Sequence, residues 1–269
     1  MIDIHTHLHP ERLALAIRRW FNENSDWNLK HPFDTQAVVD ALRANNVERF
    51  VFCSYAHKPG IARGINQWLA QTAREIDRYG MPLFTVHLDD ADCLEDAKRA
   101  IEDGCIGLKI HEDVQSLQID DPRFHSVYEQ IEKIDGFVLA HMGPIPWRLE
   151  PEIAVRRVES VLAAHPKLKI VLAHMGAPDT EKYLDILAEH EGLYLDTTMA
   201  FSSVNGLRYV VNVDAIEKNS AKILFGTDYP NVPYAYDCEP NVLRSLGLSD
   251  QALLSILGEN ARKLLQPFL

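Results

Sequence analysis

The chain has 269 residues, of which 46% are hydrophobic and 25% charged, a composition that suits a folded globular protein with room for one large core. No apolar run is long enough to cross a bilayer, and no basic segment leads into an apolar one at the start, so neither a membrane partner nor a secretory signal is expected. The formal net charge of −12 argues against a nucleic-acid partner. Cys53, Cys93, Cys105 and Cys238 are scattered without CxxC spacing, which predicts reduced thiols in a cytoplasmic protein.

Ile2 and Ile4 alternate with Asp3 and predict a short strand that runs straight into His5-Thr6-His7. A helix is expected over 11–21, then a polar and aromatic loop over 22–33. Val38, Val39, Leu42 and Val47 share one side of a helix over 35–46. The strand 49–53 (RFVFC) follows, then a loop over 54–60 and a helix over 61–78 closed by Gly80. The alternation continues with a strand over 83–87 (LFTVH), a helix over 93–103, a strand over 106–110 (IGLKI) and a helix over 122–133. Next come a strand over 137–140 (FVLA), a helix over 153–165, a strand over 169–173 (KIVLA) and a helix over 180–190. A strand over 193–196, a mixed segment to 219, a strand over 223–225 and a helix over 249–266 complete the chain, with 229–240 read as irregular.

Short apolar strands alternating with helices are the mark of a parallel sheet buried on both faces. About eight such units in about 250 residues predict an α/β (β/α)8 TIM barrel. No GxGxxG follows the first strand, so the doubly wound alternative loses its main support. With no linker, repeat or low-complexity stretch, one domain over 1–269 is expected.

In such a barrel, function collects at the C-terminal ends of the strands. His5, His7, His87, His111, His141, His174 and, more loosely, His57 fall there, seven of the twelve histidines. Side chains at i and i+2 of a strand share a side, so His5 and His7 project together, as half of a divalent-metal site. LAHMGP and LAHMGA repeat one device, an apolar strand followed by a histidine and a turning glycine. The seventh strand ends in Asp196-Thr197-Thr198, and the eighth in FGTDYP with Asp228. Lys109 in the barrel mouth has to become a metal-binding carbamate or face an anion. His9 follows His7 by two residues, but Pro10 is expected to turn it off the strand. His31, His125, His165 and His190 fall in loops or helices and carry no expected role.

DIHTH, GLKIH, the two strand-end histidines and ILFGTDYP followed by NARKLL occur in this order along nearly the whole chain. In this the chain resembles the amidohydrolase superfamily, closest to the aminocarboxymuconate semialdehyde decarboxylase-like and lactone-hydrolysing branch. The resemblance implies that His5, His7 and His141 bind a metal together with Asp228, which also takes a proton from the attacking water. It implies that His174 binds a second metal or polarises the substrate, and that Lys109 is a ligand only where it is carboxylated. Three imidazoles and a carboxylate suit Zn²⁺, with one or two ions expected and Mn²⁺, Co²⁺ or Fe²⁺ as alternatives. A divalent ion of this kind lowers the pKa of water from about 16 to near 7.

His111, Tyr55, Arg148 and Tyr229 are the expected substrate-binding residues, with His57, Arg63 and Trp147 also on loops after strands. The first expectation is metal-dependent hydrolysis of an amide, ester or lactone in a small molecule. Non-oxidative decarboxylation of a small or aromatic carboxylic acid at the same site is the alternative, with loop arginines gripping the carboxylate. TatD- or PHP-type phosphoester hydrolysis comes third, because it wants a bridging glutamate and a basic mouth. A homodimer is a further expectation.

Overall fold

A computed structural model of the protein describes residues 1–142, 151–201 and 212–269. Its strands are β1 (Ile2–His7), β2 (Arg49–Cys53), β3 (Gly80–Leu83), β4 (Gly107–His111), β5 (Phe137–His141), β6 (Lys169–Leu172), β7 (Leu193–Asp196) and β8 (Ile223–Leu224). All paired strands run parallel, in the orders β1-β2-β3 and β4-β5-β6-β7-β8. Two bridges join these sheets. Phe84 pairs with Leu108 between β3 and β4, and Thr6 pairs with Tyr229 between β8 and β1. Hydrogen bonds reinforce the second seam, from Ile4 N to Phe225 O at 2.9 Å and from His7 N to Tyr229 O at 2.8 Å. The result is the TIM barrel that the alternation predicts.

The strand at 83–87 is the largest departure from expectation. β3 runs over Gly80–Leu83 instead, so His87 lies beyond the strand, not at its end. Gly80 opens this strand and does not close the helix before it. A Cβ on Gly80 would lie 2.4 Å from the Phe50 ring, so only glycine lets β3 approach β2 here. The preceding helix spans Ala62–Glu75 and ends through left-handed Asp77 and Arg78. Cys238–Ser245 is helical where an irregular segment is expected. The expected last helix is divided by a π-helical turn at Ser255–Glu259, with Asn260–Leu265 beyond it.

β1 holds one more residue between Asp3 and Thr6 than β2 holds between Phe50 and Phe52. This bulge reverses the parity of the strand. Asp3 and Thr6 pair with Phe50 and Phe52, whose rings pack outward with Tyr79. His7 pairs with Cys53, which belongs with Ile2, Ile4, Val51, Leu83 and Leu139 to the inner apolar cluster. The bulge thus lets Ile2 and Ile4 fill the barrel floor while His5 and His7 face its mouth.

Candidate metal centre

β1 supplies His5 and His7, β4 supplies Lys109 and His111, and β5 supplies His141. His174 follows β6, Asp196 ends β7 and Asp228 follows β8. His174 and Asp228 hold left-handed backbone, at φ 56° and 62°. Non-glycine residues rarely adopt it, and it concentrates where a fixed side-chain direction matters more than local comfort.

His5 is held on both edges of its ring. Its Nδ1 lies 2.8 Å from Asp196 Oδ2, and Lys109 Nζ donates to its Nε2 at 3.0 Å. Burial pushes His5 down to about 4, and the Lys109 ammonium pushes the same way. The ring is therefore neutral, with its proton on Nδ1 and its lone pair on Nε2. Asp196 also accepts from the backbone N–H of His174 at 2.9 Å and of Thr198 at 3.0 Å. Burial alone would raise Asp196, but His5 and these hydrogen bonds hold it below its ordinary range.

His7 Nδ1 lies 3.5 Å from Cys53 Sγ, which itself donates to Thr6 O at 3.4 Å. On its other edge, His7 Nε2 lies 2.7 Å from Asp228 Oδ1. Burial opposes a charge on His7, but the Cys53 sulfur and the Asp228 carboxylate outweigh it and raise His7 to about 10. Burial would likewise raise Asp228, yet the His7 charge and hydrogen bond hold its carboxyl well below the carboxylate range. The gap between these atoms is therefore a place for positive charge.

Asp228 Oδ1 is also 3.2 Å from His5 Nε2. Both atoms are acceptors, and two acceptors this close call for a cation, a place the Lys109 ammonium fills from the His5 side in this structure. Two imidazole nitrogens, 3.2 and 2.7 Å from one carboxylate oxygen, are donors of the type that suits Zn²⁺ or Mn²⁺. The residues present fit a divalent metal. Cys53 lies close enough to join His5 and His7 in a metal-binding group, but its sulfur faces the Nδ1 edge of His7, away from Asp228. It orients the ring, as the outer partners of metal-binding histidines do.

His141 and His174 form a chain. His174 Nδ1 lies 3.0 Å from the carbonyl of Thr198, and its Nε2 lies 3.0 Å from His141 Nδ1. A carbonyl only accepts, so His174 donates from Nδ1 and receives the His141 proton at Nε2. His141 keeps a lone pair on Nε2 for a metal. Both nitrogens of His174 are engaged here, one by the Thr198 carbonyl and one by His141. In this arrangement His174 orients His141.

The rest of the mouth is aromatic. His111 stacks on His141 with centroids 3.9 Å apart and planes at 9°, as their pairing in adjacent strands dictates. Tyr55 meets His111 and His7 edge-on at 5.5 and 5.9 Å. Burial, with Lys109 nearby, holds His111 well below the usual imidazole value. Tyr229 is buried, packed between His31 and Tyr236, so it supports the seam and is not an open substrate contact. Arg63 is committed to Asp96 and Asp92 on the outer helices. Trp147 and Arg148 lie outside the described residues.

Several members of the centre carry no expected role in the sequence. Asp196 closes an apolar strand just as His141 does, and this signal could have marked it. Cys53 gives no such sign. Asp3 accepts from His5 N, Thr227 Oγ1 and Tyr236 Oη at 3.1, 2.7 and 3.0 Å and ties β1 to the loop after β8. Gln115 accepts from His111 N at 2.8 Å and donates to Val86 O at 2.8 Å. Its side chain holds neighbouring strand ends together, and nothing in the sequence points to it.

A sequence model of the amidohydrolase family matches residues 2–266. A γ-resorcylate decarboxylase of Rhizobium radiobacter is 26% identical over 226 residues, covering 66% of this chain and 68% of that one. The fold is shared with a 5-carboxyvanillate decarboxylase from Sphingomonas paucimobilis, at TM-score 0.72 and 17% identity over 99% and 98% of the two chains. It is also shared with a dihydroxybenzoic acid decarboxylase from Polaromonas sp. JS666 with bound manganese and the inhibitor 2-nitroresorcinol, at TM-score 0.73 and 16% identity over 98% and 96%. With a match that spans all but the outermost residues, and with the strand-end histidines and Asp228 gathered at one mouth, the chain belongs to the amidohydrolase family.

Proposed function

We propose that this protein is a metal-dependent, non-oxidative decarboxylase of small aromatic carboxylic acids that bear a hydroxyl group. The observation that carries this reading is the pairing of the His5–His7–Asp228 centre with a wall of flat rings. His111 and His141 lie face to face at 3.9 Å, and Tyr55 meets His111 edge-on. A planar substrate fits such a wall by stacking. The similarity to γ-resorcylate decarboxylase points the same way. Hydrolysis of an amide, ester or lactone would use the same centre, but the ring-lined mouth and that relative favour decarboxylation. Phosphoester hydrolysis has no support from these relatives, which are decarboxylases.

His5, His7, His141 and Asp228 would hold the ion. We favour Mn²⁺ over the Zn²⁺ expected from the donor types, on the manganese of the related dihydroxybenzoic acid decarboxylase. When bound, the ion supplies a Lewis acid for the oxygens of the substrate. Lys109 keeps His5 neutral and adds positive charge beside an incoming carboxylate. Asp228 is the proton carrier. The bond between ring carbon and carboxylate breaks, its electron pair stays on the ring carbon, CO₂ leaves, and a proton from water, relayed through the Asp228 carboxylate, takes its place. Asp196 and Cys53 hold the two histidine rings while this happens.

The test is incubation of manganese-loaded protein with a panel of hydroxybenzoates, esters and lactones, in ordinary and heavy water. CO₂ release, with deuterium at the vacated ring position, is the expected outcome. Turnover of the esters or lactones with no CO₂ from any acid would overturn the reading.

A further inference from the structure

His9 is a buried histidine beside this centre that the proposed reaction leaves without a role. The expected turn at Pro10 does not remove it from the mouth. It keeps the parity of His5 and His7, and its ring lies over His7 at 5.4 Å and 17°. Tyr55 meets it edge-on at 6.0 Å. Its Nδ1 is anchored 2.9 Å from Ser54 Oγ at the end of β2. Only 3% of His9 is exposed, and its Nε2 is buried with no hydrogen-bond partner among the described residues. A buried polar atom left unpaired is costly, and in a native protein it asks for an explanation. Asn231 Oδ1 is a second such atom. It sits in the loop after Asp228, where the Asn231 N–H donates to Asp228 O at 2.8 Å.

We propose that His9, held by Ser54, is a specificity-determining residue that takes a hydroxyl group of the substrate at Nε2. This rests on the decarboxylase reading and adds to it the group that is recognised. The Ser54 hydroxyl donates or accepts at Nδ1, so the anchored ring offers its Nε2 as acceptor or donor in turn. A hydroxyl group donates or accepts to suit either imidazole tautomer, so it satisfies this orphaned nitrogen in both cases. Stacking on His7 fixes the distance of this contact from the metal-binding nitrogens.

The test is calorimetric binding of 2-nitroresorcinol and of 2-nitrophenol, which lacks one hydroxyl, to manganese-loaded protein. The native protein should bind the dihydroxy ligand at least tenfold more tightly. His9→Phe keeps a flat ring but no nitrogen, and should shrink the preference to within about twofold by weakening the dihydroxy ligand alone. His9→Gln should restore part of it. Ser54→Ala, which frees the anchor and spares the ring, should shrink it at least threefold and carries the test if His9→Phe fails to fold. An undiminished preference in His9→Phe, or in Ser54→Ala where that variant stands alone, would overturn the proposal and assign Nε2 to a bound water. A native preference below twofold would overturn it as well. Failure of the native protein to bind either ligand would remove the decarboxylase reading itself.

Discussion

At the N-terminal end of the strands, the barrel interior is apolar. Ile2, Ile4, Val51, Leu83, Leu139, Val171 and Leu224 meet there, with Ala261, Leu264 and Leu265 of the last helix packed against them. At the C-terminal end, the same strands carry His5, His7, Lys109, His111 and His141. The residues of the floor take no left-handed backbone. The mouth uses left-handed backbone at His174, Met175, Met199 and Asp228 and buries Asp3, Lys109 and Asp196 almost completely. Stability and chemistry are thus separated along the strand axis. Burial of hydrocarbon below supports a crowded polar network above, which would not be expected to hold its shape alone.

Asp228→Asn should give the largest effect. It keeps the shape of the side chain and removes the proton carrier, so turnover on any substrate the native enzyme accepts should fall by about 10³-fold or more. The melting temperature should move little, which is the sign of a residue at the mouth.

Leu264→Ala makes the opposite break. Leu264 is buried against the floor, and its truncation should cost about 2–5 kcal/mol in denaturant unfolding. Specific activity per folded molecule should be unchanged. A variant that unfolds easily and also loses turnover while folded would show that the two ends are coupled.

Asp196→Asn tests the network behind the ligands. The acceptor facing His5 Nδ1 loses its charge, and the ring loses its fixed tautomer. Metal affinity should drop by about 10–100-fold, with turnover recovered at high metal concentration.

The smallest effect is a slope. Glu239 is buried and accepts from Tyr234 Oη and, at 3.1 Å, from Met199 N. Burial pushes its carboxyl up to about 8. The folded state therefore binds a proton that the unfolded state releases above about 4.3. The stability this brings is fully present below that value and is lost as pH rises through 8. Glu239→Gln should flatten the fall in unfolding free energy between pH 5 and 9 without moving its low-pH value much.

Much of this division is legible in the sequence. RFVFC gives β2 its observed bounds because five apolar or half-buried residues stand between clear turn signals. DIHTH, LAHMGP, LAHMGA and FGTDYP mark four strand exits through a polar residue at the end of an apolar run. β3 is displaced because Gly80 and Pro82 look like turn residues, while their use in a strand depends on the Phe50 ring and a seam between sheets. The bulge in β1 is invisible, since it is defined by pairing with β2. The partners of the histidines are hidden for the same reason. Asp196 and Cys53 lie 191 and 46 residues from the rings they hold, and no local pattern joins them. The helix Cys238–Ser245 is obscured by Pro240, which sits in its first turn, where proline is tolerated.

The central claim is that His5, His7 and Asp228 share one divalent ion. Titration of metal-free protein with Mn²⁺, followed by electron paramagnetic resonance, tests it directly. One tight equivalent in the native chain, lost in both His7→Ala and Asp228→Ala while circular dichroism stays native, is the expected result. Tight binding that survives in folded forms of both variants would place the ion elsewhere and contradict the account.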